Sequence, residues 1–572
     1  MKTKQNLKTD LQLIHKKSYP AYKSIAGAYD FGLFVLSIDH VQGDPFAAPS
    51  HLTIQLPRTK AQFPETYLQN EVMKTALEDY LLRQFASQAA RYSHQAKGSG
   101  KSGVITLTRP GQEVLKRSSC TIDSRNINIR FFVGFPANGR TINSIELSKI
   151  LLDYIPACVE QALLYVNLSA KEVEQAVFLA EDQEAIRKLL KEKNLAAFVA
   201  DSSILPRESG LSQRPMKNAI PFESPESLRI TLTLPHKGTI TGMGIHQGIT
   251  LIAGGGYHGK STLLQALERG VYNHISGDGR EYVITDSSAL KLRAEDGRRI
   301  TNVDISLFIR NLPDNKDTKS FSTLDASGST SQAANIMEGI EAESQLLLID
   351  EDTSATNFMV RDELMQRVIA RDKEPITPFL ERARDLYEQA NISTILVVGS
   401  CGSYFYIADT ILQMDNYRPL DITSEVKQVI QNYPAPAITA PDFHLPKPKR
   451  QFVLGSSQRQ RKNYRGTGTV TERLKVKTSG KDGFSLGNES VSLRYVEQLV
   501  DEEQTAMLAQ LTRLALENFS NRTISLSELV SFLTSQLDKN GFGAVCGRSY
   551  ISGRLAMPRL QEIYACLNRF PF

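Results

Sequence analysis

A glycine-rich run that ends in lysine and serine is the clearest chemical signal in the sequence. It fits G-x-x-x-x-G-K-[ST] and comprises Gly254, Gly255, Gly256, Tyr257, His258, Gly259, Lys260 and Ser261, with Thr262 next. Glycines allow backbone N–H groups to hold phosphate oxygens, helped by the positive end of the following helix. Lys260 would bridge the β- and γ-phosphates and Ser261 would ligate Mg²⁺. The run therefore predicts a site for ATP and Mg²⁺.

Two adjacent carboxylates predict the second half of this site. The apolar stretch Leu346 to Ile349 ends in Asp350 and Glu351. In this arrangement the aspartate can hold Mg²⁺ through water, and the glutamate can polarise the attacking water. Apolar strands that end in acids are common, so the specificity comes from the pairing with Lys260. We expect both strings in one hydrolytic site with catalytic Glu351 and Lys260.

The elements around these residues have the order that the chemistry requires. A strand-like Gly248 to Ala253 precedes the glycine run and a helical Thr262 to Glu268 follows it. Strands and helices alternate from Leu228 to about Tyr417, which is typical of a mainly parallel sheet wrapped by helices. The sequence therefore predicts an α/β core with further strands at Leu346 to Ile349 and Thr394 to Val398.

The length of 572 residues is too great for one hydrophobic core and suggests about three domains. We predict an α+β domain over residues 1–165, a P-loop ATPase domain over 166–440, a basic linker over 441–490 and a small, mainly helical domain over 491–572. The longest apolar runs are strand-sized, so no membrane-spanning helix is predicted. The N-terminal lysines precede no apolar region, so a cytoplasmic location is the default.

A second glycine-rich run, Gly98 to Gly103, contains lysine and serine but resembles a P-loop only in part. Gln95 stands where the first glycine belongs, and a strand-like Val104 to Leu107 follows instead of a helix. We interpret this run as a flexible basic loop, although its lysine could meet a phosphate.

The residues after the acidic pair resemble one class of P-loop protein. Asp350 to Asn357 is similar to the D-E-P-T-S-A-L-D sequence of ABC ATPases, with departures at Asp352, Thr356 and Asn357. Ser327 to Gln332 lies upstream, where an ABC signature belongs. The resemblance implies that Ser327, Gly328 and Ser329 contact ATP held by an opposite subunit. The plain alternative is a helix N-cap, and the two roles are compatible.

Nearly the whole chain resembles the stand-alone predicted ABC-class ATPases, which include a mitochondrial member associated with RNA-editing complexes in kinetoplastids. The strings that carry the resemblance are Gln42 to Ser50, Gly134 to Arg140, Gly254 to Thr262, Arg293 to Arg298, Ala326 to Ile336, Asp350 to Met359 and Glu374 to Pro378. It implies a family-specific N-terminal domain, a central ABC ATPase domain, a C-terminal domain, and a homodimer capable of binding RNA. The strings Gln42 to Ser50 and Gly134 to Arg140 can also be interpreted simply as loops packed on the ATPase domain. Arg140 is a candidate phosphate contact.

The sequence departs from transporter-type ABC ATPases at two places. No switch histidine stands in Val397 to Ser403, so sensing of the γ-phosphate must use another group, such as Ser400 or Ser403. No glutamine stands in the expected Q-loop region, where Asp304 to Phe308 follows the Arg293 to Arg298 run. We therefore expect no membrane subunit as a partner.

The stretch from Lys447 to Lys481 is rich in lysine and arginine and contains one acidic residue, Glu472. Such a stretch can neutralise several phosphates of RNA or another nucleic acid, although a solvated linker is an equally ordinary interpretation. The candidate contacts are Lys449, Arg450, Arg459, Arg461, Lys462 and Arg465. The leading hypothesis is an ATP-hydrolysing homodimer that clamps or remodels RNA. The alternatives are a binding module that uses ATP only to lock its dimer and, third, a transporter ATPase subunit.

Overall fold

A computed structural model describes residues 1–362, 368–369, 373–436, 440–447, 450–455, 458–462, 469–546 and 550–572, with the backbone alone for 458–462 and 469–473. The chain forms two compact units. The first contains residues 1–181 and 540–557, and the second contains residues 182–539 and 558–572. No helix in the described ranges is long and apolar enough to cross a membrane.

The first unit is built on a sheet packed against helices, in which every pairing is antiparallel except that of β1 with β2. Its strands are β1 (Lys2–Thr3), β2 (Gly27–Asp30), β3 (Val35–His40), β4 (Ser50–Pro57), β5 (Ile105–Thr106), β6 (Glu113–Val114), β7 (Cys120–Ile122), β8 (Asn126–Val133), β9 (Ala137–Asn138) and β10 (Thr141–Ile142). Its helices are α1 (Lys4–Ile14), α2 (Arg58–Ala61), α3 (Glu71–Tyr92), α4 (Ser144–Ser148), α5 (Ile155–Leu163) and α6 (Ala170–Glu192), and α6 runs past residue 181. The main sheet has the order β1-β2-β3-β4-β8-β5, with β7 paired to β8.

Helix α3 has a capped first turn and a continuous buried face. The Asn70 side chain accepts a hydrogen bond from the N–H of Met73 and so caps the first turn. Leu77, Leu81 and Phe85 recur at helical spacing and are fully buried in the core of this unit. The helix therefore forms because its capping residue and its apolar face agree.

A piece of the C-terminal region completes the first unit. The N–H of Ser118 donates to the carbonyl of Leu555, and the N–H of Leu555 donates to the Ser118 hydroxyl at 3.0 Å. Further along, the N–H of Met557 donates to the carbonyl of Lys116. Residues 540–557 thus belong to the first unit, although the sequence analysis placed them in the C-terminal domain.

The second unit is centred on the α/β sheet. Its strands up to residue 421 are β11 (Leu195–Ala200), β12 (Arg229–Leu234), β13 (Gly238–His246), β14 (Ile249–Ala253), β15 (Asn273–His274), β16 (Val283–Thr285), β17 (Leu290–Leu292), β18 (Arg298–Val303), β19 (Phe321–Ala326), β20 (Leu346–Asp350), β21 (Ser393–Val397), β22 (Thr410–Asp415) and β23 (Arg418–Asp421). Its helices there are α7 (Lys260–Arg269), α8 (Gly328–Glu341), α9 (Thr356–Met359), α10 (Ala383–Ala390) and α11 (Thr423–Ile430).

The central sheet of this unit has the order β17-β20-β21-β14-β22-β23, and all its neighbours run parallel except β22 and β23. Its central strands β14, β20 and β21 are buried almost along their whole length, as expected for the interior of a parallel sheet. A second sheet, β12-β13-β11-β16, is antiparallel. The predicted α/β fold class is confirmed.

The remaining elements of the second unit follow residue 450. The strands are β24 (Gln451–Val453), β25 (Gln458–Lys462), β26 (Thr469–Arg473), β27 (Val476–Thr478), β28 (Gly483–Leu486), β29 (Glu489–Ser492) and β30 (Thr523–Ser525). The helices are α12 (Glu502–Phe519), α13 (Leu526–Asn540) and α14 (Leu560–Arg569). The segment 441–490, interpreted as a linker, thus contains a β25-β26 hairpin and most of a β27-β28-β29 sheet.

Candidate nucleotide site

Three parallel strands bring the predicted nucleotide residues to one edge of the central sheet. Val397 at the end of β21 pairs with Ile252 of β14 on one side and with Asp350 of β20 on the other. Neighbouring strands lie roughly 5 Å apart, so the segments after β14, β20 and β21 leave the sheet side by side. The carboxyl edge of a parallel sheet is the usual place for a ligand in α/β folds.

The glycine-rich run forms a loop between β14 and α7. Gly254 has φ +135°, and a Cβ on it would lie 2.6 Å from the carbonyl oxygen of Met414. Gly259 caps α7 at φ +99°. These two positions therefore require glycine, for close approach and for a left-handed backbone respectively.

Lys260 closes the mouth of this loop. Its Nζ donates to the carbonyl oxygens of Gly254 at 2.6 Å and Gly255 at 2.9 Å. Gly255, Gly256 and Ser261 are exposed at this position, and a Cβ on Gly256 would meet nothing within 4 Å. The loop is thus open to solvent, and its ammonium group is held by acceptors that phosphate oxygens could replace.

The two side chains between the glycines behave differently from each other. Tyr257 has φ +66° and its side chain is fully exposed. His258 instead faces the chain, since its Nδ1 accepts from the N–H of Asn416 at 2.9 Å and its carbonyl accepts from the N–H of Tyr417. His258 therefore ties the loop to the β22–β23 turn, a role that the motif alone did not indicate.

Asp350 lies where β20 ends, and it is buried. Its Oδ1 accepts a hydrogen bond from the N–H of Asp352 at 3.2 Å. Burial raises the pKa of the Asp350 carboxyl above its ordinary value. The hydrogen bond from the N–H of Asp352 and the positive charge of Lys291 lower it by less. A buried carboxylate gains a partner when a cation binds, and carboxylate and hydroxyl oxygens are the ligands that Mg²⁺ prefers. Asp350 and Ser261 therefore suit the predicted metal.

Glu351 is held by the segment that follows β21. Its Oε2 accepts from the N–H of Gly399 at 2.6 Å and of Ser400 at 3.2 Å, and its Oε1 accepts from the Ser400 hydroxyl at 2.6 Å. Burial opposes ionisation, but these hydrogen bonds outweigh it and hold the pKa of Glu351 below its ordinary value. The carboxylate is therefore kept ionised and in a fixed orientation.

The signature residues open helix α8. The Ser327 hydroxyl accepts from the N–H of Thr330 and so caps the helix, which begins at Gly328. Ser329 is buried. No hydrogen bond or ion pair between described residues joins Ser327, Gly328 or Ser329 to the glycine-rich loop of the same chain. The capping interpretation is confirmed, and the contact with ATP stays a prediction.

Gln332, the last residue of the signature run, is buried and joins α8 to the segment after the acidic strand, a contact that was not predicted. The Nε2 of Gln332 donates to the Ser354 hydroxyl at 2.9 Å, and its Oε1 accepts from the N–H of Ala355. The Ser354 hydroxyl in turn donates to the carbonyl of Asp350. These hydrogen bonds therefore connect α8 to Asp350 through Ser354. The spacing of Gln332 gave no signal, because a buried polar partner is visible only in three dimensions.

The Arg293 to Arg298 string anchors the C-terminal helix. Arg569 of α14 forms an ion pair with Glu295, and Glu295 also accepts from the amide of Asn335 on α8. Arg298 pairs with the buried Glu338 of the same helix. This string, which carried part of the family resemblance, thus fixes α14 against the signature helix.

The candidate nucleic-acid contacts fall into three groups. Arg450 is buried, with ion pairs to Glu341 and Glu338 and a hydrogen bond to Asn568. Its prediction as a surface contact is therefore corrected to a structural role. The backbone of Arg459, Arg461 and Lys462 forms strand β25. Lys449 and Arg465 lie outside the described residues.

The second glycine-rich run packs within the first unit. The N–H of Lys101 donates to the carbonyl of Pro45, and the N–H of Ser99 donates to the carbonyl of Ala137. The exposed Arg140 pairs with Asp44 at 2.9 Å. The loops 42–50, 98–103 and 134–140 thus contact one another, whereas the sequence analysis treated them separately.

Comparison with known domain families gives three consecutive matches. Residues 4–166 match the family described as the N-terminal domain of ATPases of the ABC class, and residues 169–449 match the ABC ATPase P-loop domain. Residues 475–571 match the MRB1590 C-terminal domain.

Individual relatives cover part of the chain. An uncharacterized protein from Methanocaldococcus jannaschii is 32% identical over 254 residues, which are 42% of this chain and 55% of that relative, or about half its length. Among solved structures, cbiO1 from Clostridium perfringens, part of the ABC transporter complex cbiONQ, is 16% identical over 36% of this chain and 93% of its own, with a TM-score of 0.24. The ADP conformation of MJ1267, an ATP-binding cassette of an ABC transporter, is 12% identical over 41% and 96%, with a TM-score of 0.25.

Proposed function

Because the chain is a stand-alone ABC-class ATPase that resembles MRB1590, we propose that it binds ATP with Mg²⁺, hydrolyses it as a homodimer, and acts on RNA. The observation that carries the hydrolytic part is the position of Glu351. Its ionised carboxylate lies at the sheet edge that also carries the glycine-rich loop and Asp350. A phosphate loop, a metal carboxylate and a fixed base at one edge are the parts of a P-loop hydrolase.

Each residue has a separate task in this proposal. Lys260 exchanges the carbonyls of Gly254 and Gly255 for phosphate oxygens. Ser261 and Asp350 would hold Mg²⁺, which neutralises charge on the phosphates. Glu351 orients and polarises the attacking water.

The homodimer is proposed because the signature element does not meet the glycine-rich loop of its own chain in the described structure. Ser327 and Gly328 stand at the N-terminus of the 14-residue helix α8, whose free N–H groups suit a γ-phosphate. A second copy would bring this helix to the first copy's loop. Gln332 would then transmit the contact to Ser354 and Asp350.

The nucleic-acid part of the proposal is supported by charge. The stretch from Lys447 to Lys481 carries its excess of lysine and arginine against Glu472 alone. With Arg450 assigned to the interior, the contacts that we retain are Lys449, Arg459, Arg461, Lys462 and Arg465. Arg459, Arg461 and Lys462 belong to strand β25, whose backbone pairs with β26.

One observation favours the second candidate function, an ATP-locked binding module with little turnover. Ser400 and Gly399 occupy acceptor positions on both oxygens of Glu351. A carboxylate so engaged must give up part of this bonding to hold a water. Slow hydrolysis with tight ATP binding would therefore fit the same geometry.

The experiment is a comparison of Mg²⁺-ATP binding and phosphate release for the wild type, Lys260→Ala and Glu351→Gln. We expect Lys260→Ala to weaken binding, and Glu351→Gln to bind normally and suppress phosphate release. Equal phosphate release by the wild type and Glu351→Gln would exclude the role proposed for Glu351. Normal binding without release in the wild type would favour the ATP-locked module.

A further inference from the structure

Lys291 has a buried side chain on β17, the strand at one edge of the central sheet. Lys291 pairs with Leu348 of the neighbouring strand β20. Successive side chains of a strand point to opposite faces, so Lys291 shares a face with Leu348 and with Asp350, two residues further along β20. A strand spacing of roughly 4.8 Å and a rise of roughly 3.3 Å per residue separate the Cβ atoms of Lys291 and Asp350 by about 8 Å, which a lysine side chain can span.

The Lys291 ammonium has only long contacts, although its side chain is 6% exposed. Among the described residues it donates to the carbonyl of Leu292 at 3.3 Å and lies 3.6 Å from Oε2 of Glu497. An ammonium has three donors, and Oε2 of Glu497 has no hydrogen-bond partner in the described part of the chain. A cavity of about 40 Å³ beside both side chains has room for a few water molecules. The ammonium can therefore move towards Glu497 or towards Asp350.

Glu497 belongs to the C-terminal region, and its segment is fixed beside the sheet. Its Oε1 pairs with Arg293 at 3.0 Å. The side chain of the next residue, Gln498, accepts from the N–H of Lys291 at 3.0 Å and donates to the carbonyl of Glu268 on α7 at 3.2 Å. The segment thus contacts both β17 and α7, the helix that follows the glycine-rich loop, and it brings a carboxylate to Lys291.

Opposite charges thus lie on two sides of the Lys291 ammonium. Burial raises the pKa of Asp350 most, the positive charge of Lys291 lowers it, and the negative charge of Glu497 raises it. Glu268 of α7 is also buried near these charges and pairs with Arg269 at 3.4 Å. The charge of Lys291 therefore acts on Asp350, and the charge of Glu497 weakens this effect.

We propose that Lys291 is a positioning residue for Asp350, which compensates the carboxylate until Mg²⁺ arrives with ATP, and that Glu497 weakens this compensation by attracting the same ammonium. The inference rests on the proposed binding of ATP and Mg²⁺, and it adds a contact through which the C-terminal region influences the nucleotide site. A plain ion pair that only ties Glu497 to the sheet is the other explanation. Loss of either charge would then change stability, but not the metal dependence of ATP binding.

The test measures the ratio of ATP affinity with Mg²⁺ to ATP affinity in EDTA, by calorimetric titration of the full chain. Lys291→Met leaves Asp350 uncompensated in EDTA and removes a cation that competes with Mg²⁺, so the ratio should rise. A unit charge about 8 Å away, at an effective dielectric constant between about 80 and 20, changes it by roughly 2- to 30-fold. Glu497→Gln should lower the ratio by a similar factor, because the whole charge of Lys291 then acts on Asp350.

Two control variants accompany this pair. Lys291→Arg keeps the positive charge and should keep the ratio near that of the wild type. Glu502→Gln removes an exposed carboxylate at the start of α12, close in sequence to Glu497, and should leave the ratio unchanged. Glu497 keeps its pair with Arg293 in Lys291→Met, so this variant does not leave Glu497 unpaired. Melting curves check that each variant is folded.

The opposite signs of the two expected changes make the test decisive. A ratio that rises in Lys291→Met and falls in Glu497→Gln supports the inference. Equal ratios in the wild type and both variants, or changes in the same direction, would overturn it and leave ATP binding as proposed. A wild type that does not bind ATP, with or without Mg²⁺, would overturn the proposed function and the inference with it.

Discussion

The Ser400 hydroxyl donates to Oε1 of Glu351 at 2.6 Å, while the backbone N–H of the same serine donates to Oε2 at 3.2 Å. Ser400 thus contacts both oxygens of the carboxylate that we propose polarises the attacking water. Ser400 lies in the segment where transporter-type ABC ATPases have a histidine, and the sequence offers Ser400 or Ser403 as the group that senses the γ-phosphate. The contacts of Ser400 in the structure are with the Glu351 carboxylate. We therefore infer that Ser400 affects hydrolysis by holding Glu351 in position.

The first prediction concerns this contact. Ser400→Ala should lower the single-turnover rate of ATP hydrolysis roughly tenfold, since a hydrogen bond to a charged group contributes about 1.5–3 kcal/mol. ATP affinity should stay near that of the wild type, because Ser400 does not touch the glycine-rich loop among the described contacts. Ser403→Ala is the matched control and should hydrolyse ATP normally. A slow Ser403→Ala beside a normal Ser400→Ala would transfer the role to Ser403.

The chemistry of the site could be predicted from sequence because it is encoded locally. Lys260 and Ser261 follow the glycines at fixed spacing, and Asp350 and Glu351 end an apolar strand. Their mutual placement then follows from parallel strands that end at one edge. Gln332, by contrast, forms a hydrogen bond with Ser354, which is 22 residues further along the chain. No periodicity in the sequence indicates such a contact.

Long-range burial accounts for the other differences between sequence and structure. Arg450 belongs to a basic run by sequence, yet Glu341 and Asn568 from two other elements bury it. Residues 540–557 read as part of a C-terminal domain, but their backbone partners are Lys116 and Ser118.

The second prediction tests the signature helix. In a Glu351→Gln background, ATP should drive dimerisation, and Ser327→Arg should abolish it, because a long side chain blocks the N-terminus of α8. Ser327→Ala loses the N-cap, at a cost of about 1 kcal/mol, but adds no bulk and should still dimerise. Light scattering with and without ATP measures the mass. A full ATP-bound dimer of Ser327→Arg would disprove the signature assignment.

The third prediction concerns Glu78, which lies on α3 in the first unit. Its Oε1 accepts from the N–H of Ile122 at 2.6 Å, its Oε2 has no partner among the described residues, and burial raises its pKa from 4.5 to about 7. Between these values the folded state binds more protons than the unfolded state. The free energy of unfolding should therefore fall as pH rises from about 4.5 to 7 and stay low above that range.

Glu78→Gln removes this titration while it keeps an oxygen for Ile122. The variant should lose the decline in stability and be more stable than the wild type at pH 8, by an amount on the order of 3 kcal/mol. Hydrogen-exchange protection of the α3 amides at pH 5 and pH 8 measures the effect. Glu174→Gln, at an exposed position of the same unit, should retain the decline. Equal pH dependence in Glu78→Gln and the wild type would refute the assignment.

The last prediction concerns the basic segment. If Arg459, Arg461, Lys462 and Arg465 contact RNA phosphates, affinity should fall steeply with salt, at a logarithmic slope of roughly 0.7 per neutralised phosphate for single strands. Neutralising all four to glutamine should flatten this slope and weaken binding. ATP affinity should stay near that of the wild type, because none of the four is among the residues proposed for the nucleotide site, and this separates a lost contact from a lost fold.

A matched control comes from another pair of basic residues. Lys171→Gln with Lys193→Gln removes two exposed positive charges at and beyond the ends of α6 and should leave the salt slope as it is. Titration with a labelled single-stranded RNA gives the slope, and the same titration with duplex DNA measures general charge attraction. Because counterion release depends on the number of phosphates contacted, a true contact must change the slope as well as the affinity. An unchanged slope and affinity in the fourfold variant would exclude these residues as phosphate contacts and leave the RNA proposal without its support.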